Sequence, residues 1–214
     1  EMTAETFLML GGYGNTGRDV AQLLLQETDA RLVLGGRSRE KADQVAGEFN
    51  RIFPGARVTG QFADASDYNS LRYAFEGIDM VVVASSTSDF IETTARAAID
   101  SQVDWIDPQF STHKTIFLQS ISHEITTAGC CFITDAGFHP GLPAALVRYA
   151  ALSLDHLQVA NVSSVIKIDW SKLELGRATM NEFVSEFMSF KPVIFREKRW
   201  VNLGYWSMMK PAWF

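Results

Sequence analysis

The amino-acid sequence predicts an α/β protein: a doubly wound parallel sheet followed by part of an α+β domain. Three observations support this prediction. A short apolar run, Phe7–Leu10, leads into a glycine cluster and then into an amphipathic segment. Short apolar runs then alternate with helical patterns as far as about residue 150, as in parallel sheets. From about His156 onward this alternation is lost.

The glycine cluster carries the first functional signal. Gly12, Gly14 and Gly17 form a GxGxxG motif between an expected strand and an expected helix. There the first glycine allows a tight turn, the second lets backbone approach a pyrophosphate, and the third lets helix and strand pack closely. The pyrophosphate would sit on free N–H groups at the helix N-terminus; the alternative is a glycine-rich structural turn. The expected cofactor-binding residues here are Gly12, Tyr13, Gly14, Asn15, Thr16 and Gly17.

The remaining elements follow in chain order. We expect strands over residues 7–10, 31–36, 58–62, 78–84, 103–107 and 130–134. Helices are predicted by apolar residues at helical spacing. These residues are Val20, Leu23 and Leu24; Ala42, Val45, Ala46 and Phe49; Leu71, Ala74 and Phe75; Ile91, Ala95, Ala98 and Ile99; Leu118, Ile121, Ile125 and Ala128; Leu142, Ala145, Leu146 and Tyr149. The alternation predicts a Rossmann fold with strand order 3-2-1-4-5-6.

We therefore predict two domains. Residues 1–150 form a dinucleotide-binding Rossmann domain, and residues 151–214 form a partial substrate and dimerisation domain. In the second domain, Val159–Trp170 alternates like an antiparallel strand and Thr179–Met188 has a helical pattern. The aromatic-rich tail is hard to bury within its own segment. We expect this domain to be truncated or to be completed by a partner.

Composition and charge exclude several classes of function. The net charge of −6 over 214 residues argues against a nucleic-acid partner. No apolar run approaches the roughly 20 residues that span a bilayer, so no membrane partner is expected. The run Phe7–Leu10 is short and follows no basic stretch, which predicts no signal peptide. Cys130 and Cys131 are expected to be reduced core residues of a cytoplasmic protein. No ligand spacing indicates a metal site.

The turn after the second strand indicates which dinucleotide is bound. Gly36, Arg37 and Ser38 stand where an NAD enzyme places an acidic residue on the ribose 2′-hydroxyl. An arginine beside a hydroxyl instead suits a 2′-phosphate, through charge-assisted hydrogen bonds. The sequence therefore predicts NADP as cofactor. The alternative is a solvated arginine at a helix start.

Other polar residues follow the third and fourth strands. Asp64 could accept a hydrogen bond from the adenine amino group, or it could cap the next helix. Ala84, Ser85 and Ser86 would pass the pyrophosphate or the nicotinamide ribose. Plain helix caps are the alternative for the serines.

The candidate catalytic residues are Asp107, after the fifth strand, and His139, in the turn that opens the last predicted Rossmann helix. They are the titratable groups expected nearest to a nicotinamide. A reduction needs a proton to accompany the hydride, and histidine can supply one near neutral pH. The alternative for His139 is a turn histidine bonded to backbone. Asp135 follows the sixth strand.

Several stretches resemble the NADP-binding domain of the saccharopine dehydrogenase-like proteins. These are Gly11–Arg18, the Gly36–Ser38 turn and Val103–Asp107, and Gly137–Leu142 is similar to the family's Gly-x-x-Pro-Gly turn. The resemblance covers residues 6 to about 150. It implies NADP-dependent hydride transfer to or from a small-molecule imine, amine or carbonyl, and a homodimer formed through the substrate domain.

The sequence also departs from this family. The lysine-pathway enzymes of this family have a segment similar to Cys-Gly-Leu-Asp-Pro-Gly at this turn. This chain has Ala136 in place of the cysteine and His139 in place of the aspartate. This difference counts against saccharopine itself as the substrate.

A second function remains open, because Gly11, Gly14 and Gly17 also satisfy GxxGxxG. The alternative is a non-catalytic NADP-sensing regulatory protein, like the sensor branch of the short-chain dehydrogenases. An ordinary short-chain enzyme needs Tyr-x-x-x-Lys, and none of the five tyrosines has a lysine four residues later. A sensor needs no such pair. A structural protein that kept a dinucleotide fold is a third alternative.

Overall fold

The computed structural model describes residues 4–138, 141–160 and 193–204, and the single positions 162, 167, 180, 181, 184, 188 and 191. The chain divides into two compact units, Glu1–Ile166 and Lys167–Phe214. The predicted catalytic residue His139 lies outside the described residues, as does most of the predicted strand Val159–Trp170.

The first unit contains a parallel six-stranded sheet with the strand order β3-β2-β1-β4-β5-β6. This confirms the predicted fold class and strand order. The strands are β1 (Thr6–Leu10), β2 (Arg31–Gly36), β3 (Val58–Phe62), β4 (Met80–Val83), β5 (Asp104–Ile106) and β6 (Phe132–Ile133). The helices are α1 (Asn15–Glu27), α2 (Arg39–Ile52), α3 (Tyr68–Ala74), α4 (Ile91–Ser101), α5 (Thr112–Ser120), α6 (Ser122–Thr127) and α7 (Leu142–Ala151).

The sheet is buried on both faces, because successive side chains of each strand point in opposite directions. In β1, Leu8 and Leu10 belong to the core shared with α3 to α6, while Met9 belongs to the core shared with α1 and α2. In β4, Val81 belongs to the core shared with α3 to α6, and Val82 belongs to the core shared with α1 and α2. Burial of each such aliphatic side chain contributes roughly 1.5–3 kcal/mol to the stability of the fold. The strands are apolar at successive positions because each face of the sheet packs against its own core.

Helix α1 packs on the sheet through the predicted residues Val20 and Leu24, which are partly buried against the core, but its fully buried residues are others. The buried residues are Gly17, Ala21 and Leu25, spaced four apart. Leu23, predicted to face the core, is 58% exposed. The small residues Gly17 and Ala21 let the helix backbone approach β1 closely, which turns Leu23 toward solvent. For α2 the predicted face is confirmed: its buried residues are Ala42, Val45, Ala46 and Phe49.

The segment before β6 forms two helices where the periodicity predicts one. Helix α5 begins after its N-cap Ser111, whose hydroxyl accepts from the Lys114 amide at 3.3 Å. Ile121, with φ −105° and ψ 14°, leaves helical geometry and separates α5 from α6. Leu118, Ile121 and Ile125 are nevertheless all buried in one core, so the apolar spacing continued across the break.

The prediction that both cysteines are core residues was wrong, whereas the predicted helix α7 is present. Cys131 is exposed, and Cys130 is only partly buried against the core. Both precede β6, a strand of two residues at the edge of the sheet. In α7 no residue is buried, and Leu146 and Tyr149 are 51% and 77% exposed. An amphipathic pattern predicts which side chains share a face but not what covers that face.

In the second unit, the structure describes an antiparallel hairpin that was not predicted. Strands β7 (Val193–Arg196) and β8 (Arg199–Asn202) pair across Glu197 and Lys198. Both turn residues have positive φ, 52° and 63°, as a two-residue type I′ turn requires. Within the predicted helix Thr179–Met188, the described residues Met180, Asn181, Val184 and Met188 are helical.

Candidate functional site

The carboxyl ends of the six parallel strands meet at one edge of the sheet. In doubly wound folds the ligand binds at this edge, where the strand order reverses. The reversal lies between β1 and β4, since β2 and β3 extend to one side of β1 and β5 and β6 to the other. Apart from His139, all the predicted site residues lie on loops or helix starts that leave this edge.

The turn between β1 and α1 is built around Gly11, and not around Gly12 as the sequence predicts. Gly11 has φ +89°, which favours glycine, and its amide donates to the Gly35 carbonyl at 2.8 Å. The Gly12 amide donates to the Met9 carbonyl at 2.9 Å. The chain therefore reverses as soon as β1 ends, one residue earlier than the GxGxxG pattern implies.

The N-terminus of α1 keeps free donors. Its N-cap residue is Gly14, which has no side chain to cap the helix, and the helical bonds begin with the Arg18 amide, which donates to the Gly14 carbonyl at 2.9 Å. Among the described residues, the amides of Asn15, Thr16 and Gly17 find no acceptor. Such a cluster of amides at the positive end of a helix dipole suits a pyrophosphate.

Gly17 is required by packing at this turn. A Cβ on Gly17 would lie 2.8 Å from the Gly12 Cα and would overlap the Gly11 carbonyl oxygen. The close approach of α1 to β1, predicted for the third glycine of the motif, is therefore present. It brings the free amides directly to the end of the strand.

Tyr13 and Ser38 are joined by a hydrogen bond within the protein. The Ser38 amide donates to the Tyr13 hydroxyl at 3.1 Å, and the Tyr13 ring lies against the Cα of Gly36 so closely that a Cβ there would overlap it. The Ser38 hydroxyl caps α2 by accepting from the Lys41 amide at 3.3 Å. Tyr13 thus forms the wall beside the end of β2.

Arg37 is the cation that remains available at the end of β2. It is exposed, and it forms no hydrogen bond or ion pair with any residue that the structure describes. Asp64, after β3, is half-buried, and its Oδ1 accepts from the amide and the hydroxyl of Ser66 at 3.0 and 2.8 Å. These two bonds, helped by the nearby Arg37 charge, lower the pKa of Asp64. Asp67 caps α3, so the alternative interpretation of Asp64 as a helix cap is wrong.

The loop after β4 lies beside the glycine turn. The Ala84 amide donates to the Leu10 carbonyl at 2.9 Å. The Ser85 carbonyl accepts from the Thr87 hydroxyl at 3.2 Å and also from the side-chain amide of Gln109. Thr87 occupies the N-cap position of the short 3₁₀ helix that follows, and its side chain makes no capping bond. The predicted residues Ala84, Ser85 and Ser86 thus occupy the β4 side of the reversal point.

Asp107 is completely buried at the end of β5. Its carboxylate accepts from the Trp105 indole at 2.7 Å, from the Gln109 amide at 3.0 Å and from the Lys114 ammonium. An enclosed carboxylate with these three donors is well suited to hold the surrounding chain in place. Its predicted role in proton transfer stays a prediction.

Lys114 is the residue that the sequence analysis missed. It lies in the first turn of α5, its side chain is 1% exposed, and its Nζ also donates to the Gln109 carbonyl. The signal was present in the sequence, because Lys114, Leu118 and Ile125 fall on one face at helical spacing. A lysine on that face has to be buried, and a buried ammonium requires a carboxylate partner.

Asp135 completes the charged cluster after β6. Its Oδ1 lies 3.3 Å from the Lys114 Nζ, and its Oδ2 accepts from the Thr115 hydroxyl at 3.3 Å. Its backbone is left-handed, with φ +59°. The next loop closes where the Leu142 amide donates to the Gly137 carbonyl at 2.9 Å. Asp135 therefore connects the chain just before this loop to α5.

The described part of the chain lacks two other features that would indicate a function. It holds no group of three histidine, cysteine, aspartate or glutamate side chains that could bind a metal. Nor does it hold a helix that is long and apolar enough to cross a membrane.

Comparison with known proteins identifies a family and two solved structures that this chain resembles. The family model for the saccharopine dehydrogenase NADP-binding domain matches residues 7–127, which is more than half of the chain. Saccharopine dehydrogenase (L-Glu forming) from Saccharomyces cerevisiae has a similar structure, with a TM-score of 0.56 and 20% identity over 71% of this chain and 31% of that protein. Pen from Bacillus thuringiensis has a TM-score of 0.50 and 19% identity, over 63% of this chain and 50% of Pen.

These likenesses have limits. At this identity the two structures show the fold alone. The chain spans about a third of the yeast enzyme and half of Pen. No curated protein matches the sequence.

Proposed function

Because the chain belongs to the family of saccharopine dehydrogenase NADP-binding domains, we propose that it is the cofactor-binding part of an NADP-dependent oxidoreductase. The substrate class is a small imine, amine or carbonyl compound. The observation that carries this proposal is the exposed Arg37 at the end of β2, which has no partner among the described residues and stands where an NAD enzyme would have an acidic residue. A free guanidinium there suits the 2′-phosphate of NADP.

The residues of the sheet edge fit the dinucleotide along its length. The amides of Asn15, Thr16 and Gly17 would hold the pyrophosphate, and Arg37 would pair with the 2′-phosphate. Ala84–Ser86 would line the path toward the nicotinamide. When bound, NADP(H) supplies or accepts the hydride. The chain's own contribution is to bind and orient the dinucleotide and to exchange the accompanying proton, for which His139 and Asp107 are the proposed groups.

The experiment is a titration of the purified chain with NADPH and with NADH, followed by nicotinamide fluorescence. We expect tighter binding of NADPH, and we expect Arg37→Ala to weaken it by about 10- to 100-fold, as the loss of a charge-assisted contact does. NADH binding should change little. Arg51→Ala, at the far end of the same helix α2, is the matched control and should leave both affinities unchanged.

The outcomes separate the competing functions. Failure to bind either dinucleotide would overturn the proposal and favour a structural protein. Equal affinities, unchanged by Arg37→Ala, would overturn the NADP preference. Tight NADPH binding without turnover of a panel of imines, amines and carbonyls would favour the NADP-sensing regulatory protein. A pH-dependent oxidation of NADPH that His139→Gln abolishes would support the proton-transfer role.

A further inference from the structure

Lys114 joins loops that follow different strands. After β5 its ammonium donates to the Asp107 carboxylate and to the Gln109 carbonyl, and after β6 it lies 3.3 Å from the Asp135 carboxylate. Two of the three N–H donors of the ammonium are used by Asp107 and Gln109, and Asp135 adds an ion pair without a hydrogen bond. The side chain is also 1% exposed. Lys114 is therefore not available to a ligand and acts on the residues around it.

A third loop is connected through Gln109. The side-chain amide of Gln109 donates to the Ser85 carbonyl after β4, while its backbone carbonyl receives the Lys114 ammonium. Ser85 in turn packs against the glycine turn, because a Cβ on Gly11 would lie 2.5 Å from the Ser85 Cβ. A continuous series of contacts thus runs from Lys114 through Gln109 and Ser85 to Gly11.

The three connected loops lie on one side of the reversal point. Strands β4, β5 and β6 extend from β1 in the direction opposite to β2 and Arg37. A dinucleotide that places its adenosine ribose at the end of β2 crosses the helix α1 N-terminus with its pyrophosphate. Its nicotinamide half must then lie over the loops after β4 and β5, which are the loops that Lys114 connects.

Burial of a lysine at this position costs free energy. Lys114 is the third residue of α5, at the end of the helix where the dipole favours a negative charge. Taking a cation and its carboxylate partners out of water often costs as much as their attraction returns. An apolar side chain could fill the same space without that cost. What the ammonium provides in addition is a fixed geometry between two acceptors after β5 and the Asp135 carboxylate after β6.

We propose that Lys114 is a positioning residue, which fixes the loops after β4, β5 and β6 and thereby shapes the nicotinamide half of the dinucleotide site. This inference rests on the proposed NADP function. It assigns Lys114 and Gln109 an effect on the half of the cofactor that neither the glycine turn nor Arg37 contacts.

The test compares NADPH with adenosine 2′,5′-bisphosphate, which carries the adenosine and the 2′-phosphate but no nicotinamide. We expect Lys114→Met and Gln109→Met each to weaken NADPH binding by about tenfold, the effect of losing one or two well-oriented polar contacts. Binding of the bisphosphate should change less than about twofold. A variant that is merely less stable would lose both ligands in parallel.

Two further variants make the result decisive. Gln119→Met makes the same substitution at an exposed position of α5 and should leave both affinities unchanged. If Lys114→Met does not fold, Gln109→Met still tests the connection, since it leaves the Lys114–Asp107 pair in place. Unchanged NADPH affinity in Gln109→Met, or equal losses for the two ligands, would overturn the inference. Failure of the unmodified chain to bind either ligand would instead overturn the proposed function, and the inference with it.

Discussion

The two halves of the candidate site hold their charged groups in opposite ways. On the β2 side, Arg37 is exposed and unpaired, and Asp64 is bonded to Ser66, two residues away in the sequence. On the β5 side, Asp107 and Lys114 are buried and bonded to each other between separate elements. A charge left open at the surface can pair with a ligand, whereas the bonds between Lys114 and Asp107 hold the surrounding loops together. The β2 side therefore supplies binding energy for a ligand, and the β5 side keeps the loops of the site in a fixed arrangement.

The largest expected effect comes from breaking the enclosed half. Lys114→Met leaves Asp107 buried with no counter-charge, which we expect to lower the free energy of unfolding by about 3–5 kcal/mol. Urea denaturation would measure this loss. Lys41→Met, which removes an exposed lysine from α2, should change stability by less than about 0.5 kcal/mol.

A double variant shows where that cost comes from. In Lys114→Met/Asp107→Asn the buried charge is gone, although the single amide oxygen can accept from only one of two donors, the Trp105 indole or the Gln109 backbone amide, which bond to different oxygens of the carboxylate. Recovery of more than half of the lost stability would identify the unpaired carboxylate as the cause. A single variant as stable as the unmodified chain would contradict the enclosed arrangement altogether.

The next effect concerns the glycine turn, which both halves share. Gly17→Ala places a methyl group 2.8 Å from the Gly12 Cα, so α1 has to move away from β1. We expect a loss of about 1–3 kcal/mol in stability and at least about tenfold weaker NADPH binding, because the amides of α1 move with it. Both are measurable by denaturation and fluorescence titration.

A second glycine provides the matched control. A Cβ on Gly47, in the interior of α2, would meet only the tip of the Arg51 side chain, at 3.9 Å. Gly47→Ala should therefore stabilise the chain by about 0.5–1 kcal/mol through helix propensity. If Gly17→Ala were equally harmless, the close approach of α1 to β1 would not constrain this turn.

How much the sequence predicted depends on the distance along the chain over which each feature is determined. The strand order and the position of Arg37 follow from local patterns, and both were predicted. Lys114 was missed although its partner Asp107 is only seven residues away, because the packing of α5 in the folded chain, and not a local pattern, brings the two side chains together. Leu23 was placed on the wrong face because the glycine and alanine of α1, not its larger residues, set the helix against the sheet. The Glu197–Lys198 turn was missed because it has positive φ angles without glycine.

The smallest expected effect tests whether the Arg37 side chain is free to bind a ligand. The pKa of Asp64 is lowered first by the Ser66 amide, then by the Ser66 hydroxyl, and only weakly by Arg37. A carboxyl whose pKa is lower in the folded state contributes stability above its unfolded pKa of about 3.9, and this contribution is lost as the pH falls through the folded value. Because the group is near the surface, we expect less than about 1 kcal/mol.

An NMR pH titration of Asp64 in two variants decides the matter. Ser66→Ala removes the hydroxyl donor and should raise the pKa of Asp64 more than Arg37→Ala does, since the hydrogen bond from Ser66 lowers this pKa more than the charge of the guanidinium does. The reverse order would mean that Asp64 and Arg37 are paired in solution. Arg37 would then be engaged by the protein itself, a 2′-phosphate would have to displace a carboxylate, and the contrast between an open and an enclosed half of the site would fail.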